Sequence, residues 1–379
     1  MENIIQCSRE LLAKAFRNIE PLQGRSPIAS HGLANLVLRQ GQPAELVAMN
    51  GDMHVWQQLD ATAKRDGSVL LPIGRVSAML KCLTGEIVEI YVRKSTILIT
   101  DKDRDNGYTI GLCEEAWPEP PTDAVEPTIH INGGQFLTQL SRVLFACDTE
   151  STRYALAGIN LQVADNVLQA VATDTRRLVG CFRACITTGE RKAASIVIPL
   201  SGVRLLQRMI PDTPADISIH WDDRSFAACW DGGRMRCKLV DGRFPAWQSV
   251  LPDPDKIVDR IELASVQLKS CLNAARVVSN AESRGVDLVF KNSSLIVSAE
   301  STDGKASMAM PTLAQTSDKI TISLDPTFLL EWLATHPPTT TIVAEFTEVG
   351  ACEDGVVLRP QGAEQANEFN MVMPLSRDR

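Results

Sequence analysis

The sequence repeats one short pattern three times, at intervals of about one-third of its length. The copies at residues 68–83, 195–210 and 319–333 read SVLLPIGRVSAMLKCL, SIVIPLSGVRLLQRMI and KITISLDPTFLLEWL. Each begins with β-branched and apolar residues typical of a strand, passes through a turn containing Pro or Asp, and continues with apolar residues at helical spacing. Such a repeat predicts three domain-sized units of the same design.

Two acidic, proline-rich segments lie where the repeat predicts boundaries between units. They span residues 114–127 and 251–259, and prolines at this density are excluded from helix interiors and central strands. The sequence therefore predicts domains at residues 1–124, 125–254 and 255–379. A chain of 379 residues is too long for one typical core, and its apolar content of 44% allows each third a core of its own.

Each predicted unit also begins with an amphipathic helix. The three helices are predicted at residues 9–20, 135–146 and 267–278, where apolar residues recur at i, i+3 and i+4. Most of the remaining sequence shows alternating or β-branched patterns between Gly, Asn and Asp residues, which favours short strands. The predicted fold class is α+β, with two helices of each unit packed on antiparallel sheet.

Several classes of protein are disfavoured by the composition. The ten cysteines include no C-x-x-C pair and the five histidines are scattered, so we expect neither a zinc site nor a disulfide framework. The first residues lack the features of a secretion signal, and no apolar run is long enough to span a membrane. We therefore expect a cytoplasmic protein without a cofactor.

The charge of the chain is unevenly distributed along the sequence. The net charge is −8 and the isoelectric point about 5.3, which alone argues against binding to nucleic acid. Five of the six predicted helices nevertheless carry mainly basic residues on their polar faces, and only the last carries an acid, Glu331. If these faces share one surface, that surface attracts phosphate without reading bases. The alternative is that Lys and Arg are simply good helix formers on solvated faces.

Five segments resemble one known family. They are residues 238–252 (KLVDGRFPAWQSVLP), 153–158 (RYALAG), 172–178 (ATDTRRL), 274–286 (AARVVSNAESRGV) and 371–375 (MVMPL). These segments are similar to the bacterial DNA polymerase III beta subunit family, the sliding clamps, and the resemblance runs in order along the whole chain. The resemblance implies a head-to-tail homodimeric ring of six clamp-type domains. Its helices would face duplex DNA, and its partners would be polymerases, including the polymerase III alpha subunit, and the clamp loader.

The resemblance also implies three sets of site residues. A groove for linear peptide motifs would comprise Leu156, Thr173, Arg177, Leu178, Pro245, Val250, Met371, Met373, Pro374 and Leu375. Its apolar side chains suit peptide anchors, although Leu156, Leu178 and Val250 are equally explained as core residues. Residues facing DNA would be Arg25 and Tyr154, with Arg75, Arg142, Arg153, Arg204 and Arg208 added from helix faces and position. The dimer interface would use Tyr108, Ile110, Val277 and Val278.

Three departures and three alternatives accompany this interpretation. Ser249, Ser376 and Arg176 differ from residues common in the family, which leaves the preferred peptide open. An enzyme is disfavoured, because no phosphate-binding, nucleophile-elbow or zinc-protease motif occurs and Asp174 beside two arginines is better explained as a turn. A specialised clamp paralogue with a plasmid, phage or repair role stays open, as does a different DNA-encircling or DNA-coating protein without the peptide groove.

Overall fold

The structure is a computed structural model that describes residues 4–24, 29–103, 106–118, 129–149, 154–188, 195–279, 285–302, 304–313, 319–362 and 367–375. It divides into two compact units. Unit 1 comprises Met1–Leu137, Cys185–Ala194 and Ser201–Leu239. Unit 2 comprises Thr138–Ala184, Ser195–Leu200 and Val240–Arg379.

The described residues form six α-helices and 26 β-strands. The first third contains β1 (Ile5–Ser8), α1 (Arg9–Ile19), β2 (Leu33–Leu38), β3 (Pro43–Met49), β4 (Met53–Thr62), β5 (Gly67–Pro72), α2 (Ile73–Cys82), β6 (Ile87–Val92), β7 (Thr96–Asp101) and β8 (Gly107–Gly111). The second third contains β9 (Ile129–Asn132), α3 (Gly133–Val143), β10 (Gly158–Ala164), β11 (Val167–Thr173), β12 (Arg177–Ala184), β13 (Ile186–Thr187), β14 (Ser195–Pro199), α4 (Leu200–Met209), β15 (Asp216–Trp221), β16 (Ser225–Trp230) and β17 (Gly233–Lys238). The last third contains β18 (Asp259–Ala264), α5 (Ser265–Arg276), β19 (Val286–Lys291), β20 (Ser294–Ser301), β21 (Gly304–Pro311), β22 (Ile320–Leu324), α6 (Pro326–Ala334), β23 (Thr341–Phe346), β24 (Gly350–Ala351), β25 (Val356–Pro360) and β26 (Glu368–Val372).

Each α-helix in the described ranges follows a strand within one residue, and for α2, α4 and α6 the repeated sequence pattern predicts this. The turn residues explain why the chain changes conformation at these points. Pro72 holds φ at −65° immediately before α2, and Asp325 accepts a hydrogen bond from the Thr327 N–H at the start of α6. Ser8 caps α1 through its hydroxyl, which accepts from the Leu11 N–H. The strand–turn–helix repeat is therefore confirmed.

The predicted apolar faces of the helices are buried. In α1 the buried residues include Leu12, Phe16 and Ile19, and α1 packs against α2 within unit 1. In unit 2, α5 packs against α6 and against β20 and β21. The prediction of an α+β fold with helices on antiparallel sheets is confirmed. None of the helices in the described ranges is long and apolar enough to cross a membrane.

Each unit contains one large and one small sheet. In unit 1 the strand orders are β13-β9-β15-β16-β17-β4-β3-β2-β5 and β1-β6-β7-β8. In unit 2 they are β14-β10-β11-β12-β26-β25-β23-β18 and β21-β20-β19-β22-β24. Among the described strands, neighbours are antiparallel except for β22 and β24. Because β17 pairs with β4, and β12 with β26, the large sheets join strands from different thirds of the chain.

Candidate functional site

Unit 2 contains a pocket of about 490 Å³ beside the end of the last strand. Most of the residues predicted for a peptide groove line it, namely Leu156, Thr173, Arg177, Leu178, Pro245, Val250, Met371 and Met373. Four further lining residues were not predicted: Ala155, Thr175, Arg243 and Trp247. Pro374 and Leu375 are not among the lining residues. They follow Met373 in the chain, and the Leu375 N–H donates to the Ser323 carbonyl at 2.8 Å.

Strand pairing brings the distant parts of this pocket together. In the register of β12 with β26, Leu178 lies opposite Met371 and Arg177 opposite Val372. The segment before β10 contributes Leu156, and the segment after β17 is tied to β14 by a hydrogen bond from the Val240 N–H to the Val197 carbonyl. Three segments that are remote in sequence therefore form one continuous surface.

The pocket has an apolar floor that is part of the protein core. Leu156, Leu178 and Met371 belong to a buried cluster that also contains Trp247 and Phe369. The Trp247 and Phe369 rings stack with centroids 5.9 Å apart. Leu156 and Leu178 had two explanations in the sequence, as core residues or as groove residues. The structure supports both, because each is buried and also lines the pocket.

The rim of the pocket is exposed. Val250 is 51% exposed and Met373 37% exposed, and Pro245 is also exposed. Val250 is therefore not a core residue. A floor that is already packed and a rim with apolar side chains in water are suited to receiving apolar anchors from another molecule.

The wall formed by residues 173–177 is a tightly bonded turn. The Asp174 Oδ1 atom accepts from the N–H groups of Arg176 and Arg177, each at 3.0 Å. The Thr173 hydroxyl donates to the Arg177 carbonyl at 2.6 Å and accepts from the Thr175 N–H at 3.1 Å. These bonds hold Thr175 at φ 75°, a conformation that is costly for a residue with a β-branched side chain.

Arg177 supports this wall from inside. Its guanidinium donates to Asp174 at 2.9 Å, to Glu331 at 2.5 Å and to the Phe145 carbonyl at 2.8 Å. It also lies over the ring of Phe328 at 4.7 Å. The charge of Arg177 is therefore balanced within unit 2, and the pairing of Asp174 with Arg177 accounts for these residues without acid–base chemistry.

A second buried charge cluster anchors the strand that delivers Met371. Glu368, at the start of β26, forms an ion pair with Arg183 and accepts a 3.1 Å hydrogen bond from His336 Nε2. Burial acts to raise the pKa of Glu368. Hydrogen bonds from His336 and Arg183, with the charges of Arg183 and Arg142, outweigh burial and lower the pKa to about 2. No local sequence pattern predicts this cluster, because its members are far apart in the chain.

The Glu368 cluster changes the interpretation of Arg142. Its side chain is only 11% exposed, with Nε 3.7 Å from Glu368 and a guanidinium nitrogen 3.3 Å from the Thr335 hydroxyl. Because the guanidinium is largely buried beside a carboxylate, Arg142 is poorly placed to contact phosphate. The helical spacing placed Arg142 on a polar helix face. In the folded chain, Glu368 pairs with Arg142 and the side chain is largely buried.

The other predicted DNA-facing residues fall into two groups. Arg75 on α2 and Arg204 and Arg208 on α4 are exposed. Arg25 and Arg153 lie outside the described residues, and only the backbone of Tyr154 is described. The exposed arginines keep the predicted role open.

The predicted interface residues lie beside strands at sheet edges. Tyr108 and Ile110 belong to β8, the last strand of the four-stranded sheet in unit 1. In unit 2, Val277 follows α5 and is 81% exposed, and α5 packs against β21, the edge strand of the five-stranded sheet. An exposed valine and unpaired strand edges are features that association with another chain would cover.

Comparison of the fold with solved structures identifies its class. The chain has the fold of sliding clamps. It matches the crystal structure of a sliding clamp (DNA polymerase III subunit beta) from Pseudomonas aeruginosa bound to griselimycin with a TM-score of 0.87. That match has 19% identity and covers 99% of this chain and 100% of the other. The DNA polymerase III beta subunit from Thermotoga maritima gives a TM-score of 0.84 at 16% identity, covering 98% and 99%.

The sequence comparisons point to the same family. Residues 130–246 match the family model of the DNA polymerase III beta subunit, central domain. A beta sliding clamp of Haemophilus influenzae is 28% identical over 342 residues, which cover 86% of this chain and 88% of the relative. A beta sliding clamp of Chlamydia pneumoniae is 25% identical over 327 residues, covering 85% and 86%. The resemblance to the bacterial DNA polymerase III beta subunit family that the sequence motifs indicated is confirmed.

The four unpredicted lining residues carried a signal that could have identified them. Ala155, Thr175, Arg243 and Trp247 lie within the segments that resemble the family. A residue inside such a segment beside a predicted groove residue was a reasonable candidate for the lining.

Proposed function

We propose that this chain is a DNA sliding clamp. Two copies would close head to tail round duplex DNA, and the ring would tether a replicative polymerase so that synthesis is processive. The role requires encirclement and docking and no catalytic group. The observation that carries the proposal is that one pocket in unit 2 brings together eight residues predicted for the peptide groove from separate parts of the chain.

The groove would receive short linear motifs of polymerases and of the clamp loader. Its volume of about 490 Å³ is in the range of pockets that hold a few side chains. Met371, Met373 and Val250 supply adaptable apolar contacts, and the packed Trp247 beneath them gives a rigid floor. A peptide with Leu or Phe anchors suits this combination.

The DNA contact would be electrostatic and independent of sequence. Arg75, Arg204 and Arg208 are exposed cations on helices of a chain whose net charge is −8. Contacts of this kind neutralise phosphates without reading base edges, which allows a ring to slide. Arg142 is left out of this set because it forms an ion pair with the buried Glu368.

The dimer would form by association of sheet edges from two chains. The edge strand β8 carries Tyr108 and Ile110, and the edge strand β21 lies beside the residues that follow α5, Val277 and Val278. Domain boundaries near residues 124 and 254, and a cytoplasmic location with DNA, belong to the same proposal.

The proposal is tested by measuring how substitutions in the groove change the processivity of a polymerase. Replacing Val250 and Met373 with Glu should abolish stimulation of polymerase processivity, because two charges would enter an apolar rim without disturbing the buried floor. The matched control is Val349→Glu, a change at another valine of unit 2 with 50% exposure. Primer extension on long templates with a cognate polymerase and loader measures the effect.

Two results would refute the proposal. One is a wild-type chain that stays monomeric in light scattering and never increases product length. The other is a Val250, Met373 double variant that stimulates polymerase as well as the Val349→Glu control. A chain that dimerises and stays on nicked circular DNA but serves only a specialised polymerase would identify a clamp paralogue.

A further inference from the structure

Arg243 is a cation at the edge of the pocket. It is exposed and lines the cavity together with Pro245 and Val250. All the residues lining the pocket have described positions, and among them Arg177 is the other cation. The guanidinium of Arg177 is occupied by Asp174 and Glu331, whereas the described residues provide no ionic partner for Arg243.

The backbone on both sides of Arg243 is held in place. Gly242 adopts φ 127°, and a Cβ there would lie 3.3 Å from the Cβ of Ala155, so the chain passes close to another lining residue. On the other side, Phe244 is buried in the cluster beneath the pocket. The position of the Arg243 Cα is therefore fixed beside the pocket, while its side chain extends into solvent.

The acids with described positions in and beside the pocket wall do not neutralise this side chain. Asp174 bonds to Arg177 and to the turn N–H groups, and Glu331 bonds to Arg177. Asp241 is exposed and two residues away in the chain, and it forms no ion pair with Arg243. A positive charge thus stands next to an apolar cavity whose other cation, Arg177, is already paired.

We propose that Arg243 binds a carboxylate of the peptide that occupies the groove, placed next to the apolar anchors of that peptide. This inference rests on the proposed function and adds a charge preference to it. The carboxylate has two possible sources, an Asp or Glu side chain or the free C-terminus of the peptide. A planar guanidinium suits either, since both present two coplanar oxygens to it.

The test uses three fluorescein-labelled peptides with the same anchors. The first is Ala-Ala-Leu-Ala-Leu-Phe with an amidated C-terminus, the second has a free C-terminus, and the third is amidated with Asp replacing the Ala between the leucines. Fluorescence polarisation at about 50 mM salt should give about 5- to 20-fold tighter binding for at least one acidic peptide than for the neutral one. The stronger of the two identifies the source of the carboxylate.

The protein variants assign this preference to Arg243. In full-length Arg243→Gln, the acidic peptides should bind no more than twofold tighter than the neutral peptide. Lys291→Gln, which removes an exposed positive charge elsewhere in unit 2, should keep the full preference. High salt should reduce the preference in the wild-type chain, since the contact is partly exposed.

The outcomes separate this inference from the proposed function. If the neutral peptide binds and neither acidic peptide binds more tightly, the groove stands and the role of Arg243 is refuted. A preference that persists in Arg243→Gln refutes it equally. If none of the three peptides binds the wild-type chain, the proposed groove itself fails.

Discussion

Replacing Glu368 with Gln should destabilise unit 2 more than any comparable change at the surface. Glu368 is almost fully buried and is held by Arg183, His336 and Arg142, which come from three different parts of unit 2. The amide of Gln keeps the size of the side chain but removes its charge. Arg183 would then lose its ion pair with Glu368, and Arg142 would lie largely buried beside a neutral amide, which is the costly form of a broken ion pair.

The magnitude follows from the pKa of the carboxyl group. A pKa lowered from 4.5 to about 2 corresponds to about 3 kcal/mol of stability at neutral pH. Removing one partner from a buried pair costs about 3–5 kcal/mol in other proteins. We therefore expect Glu368→Gln to lower the free energy of unfolding by about 3 kcal/mol, a large part of the stability of a typical domain.

The pH dependence gives this prediction a signature. Because the pKa of Glu368 is lower in the folded state, its contribution is fully present above pH 4.5 and is lost as the pH falls towards about 2. The difference in unfolding free energy between wild type and variant should thus shrink to less than half at pH 3. A simple packing defect would be independent of pH.

Urea denaturation followed by circular dichroism at pH 7 and pH 3 measures both quantities. The control is Glu300→Gln, which removes an exposed carboxylate paired with Lys305 and should cost less than about 1 kcal/mol. A Glu368 variant within about 1 kcal/mol of wild type at pH 7 would refute the argument, as would a loss equally large at both pH values.

Three further predictions follow from the site. Thr175→Gly should raise the free energy of unfolding by about 0.5–1 kcal/mol in thermal denaturation, because glycine adopts φ 75° without steric cost; Thr175→Ala should give no such gain. Replacing Arg204 and Arg208 with Glu should weaken binding to duplex DNA. In filter binding, the slope of the logarithm of the binding constant against the logarithm of salt concentration should become shallower by about 1–2. An unchanged slope would contradict the phosphate contact. Val277→Asp should convert the dimer to monomer in light scattering, while Val349→Asp should leave it intact, since of these two exposed valines only Val277 is assigned to the interface.

Local features of the chain could be predicted because their causes are local. Pro72 and Asp325 end a strand and begin a helix through their own backbone and side-chain chemistry, whatever surrounds them. The helix predicted at residues 9–20 is α1, and the one at 267–278 overlaps α5 with a shift of about two residues. The helix predicted at 135–146 ends earlier, because its last turn is a 3-10 helix over Leu144–Ala146.

Strand partners could not be predicted in the same way. The repeat divides the sequence into thirds, yet β4 pairs with β17 and β12 with β26, so each compact unit combines strands from two thirds. The free energy of a strand pair depends on which neighbour covers it, and many antiparallel partners have suitable patterns. The repeat indicates the design of each unit but not which strands are neighbours.

The sequence alone determined the class of the fold, the three strand–helix junctions of the repeat and most of the residues that line the pocket, because the spacing of apolar residues and the recognisable segments carry this information. Only the tertiary structure decided which charges are available to a partner. Arg142, Arg177 and Arg243 look alike in the sequence, but carboxylates from distant or neighbouring segments pair with the first two, while the third is exposed. The free energy of a charge is set by burial and by neighbours within a few ångströms, and those neighbours are distant in the sequence.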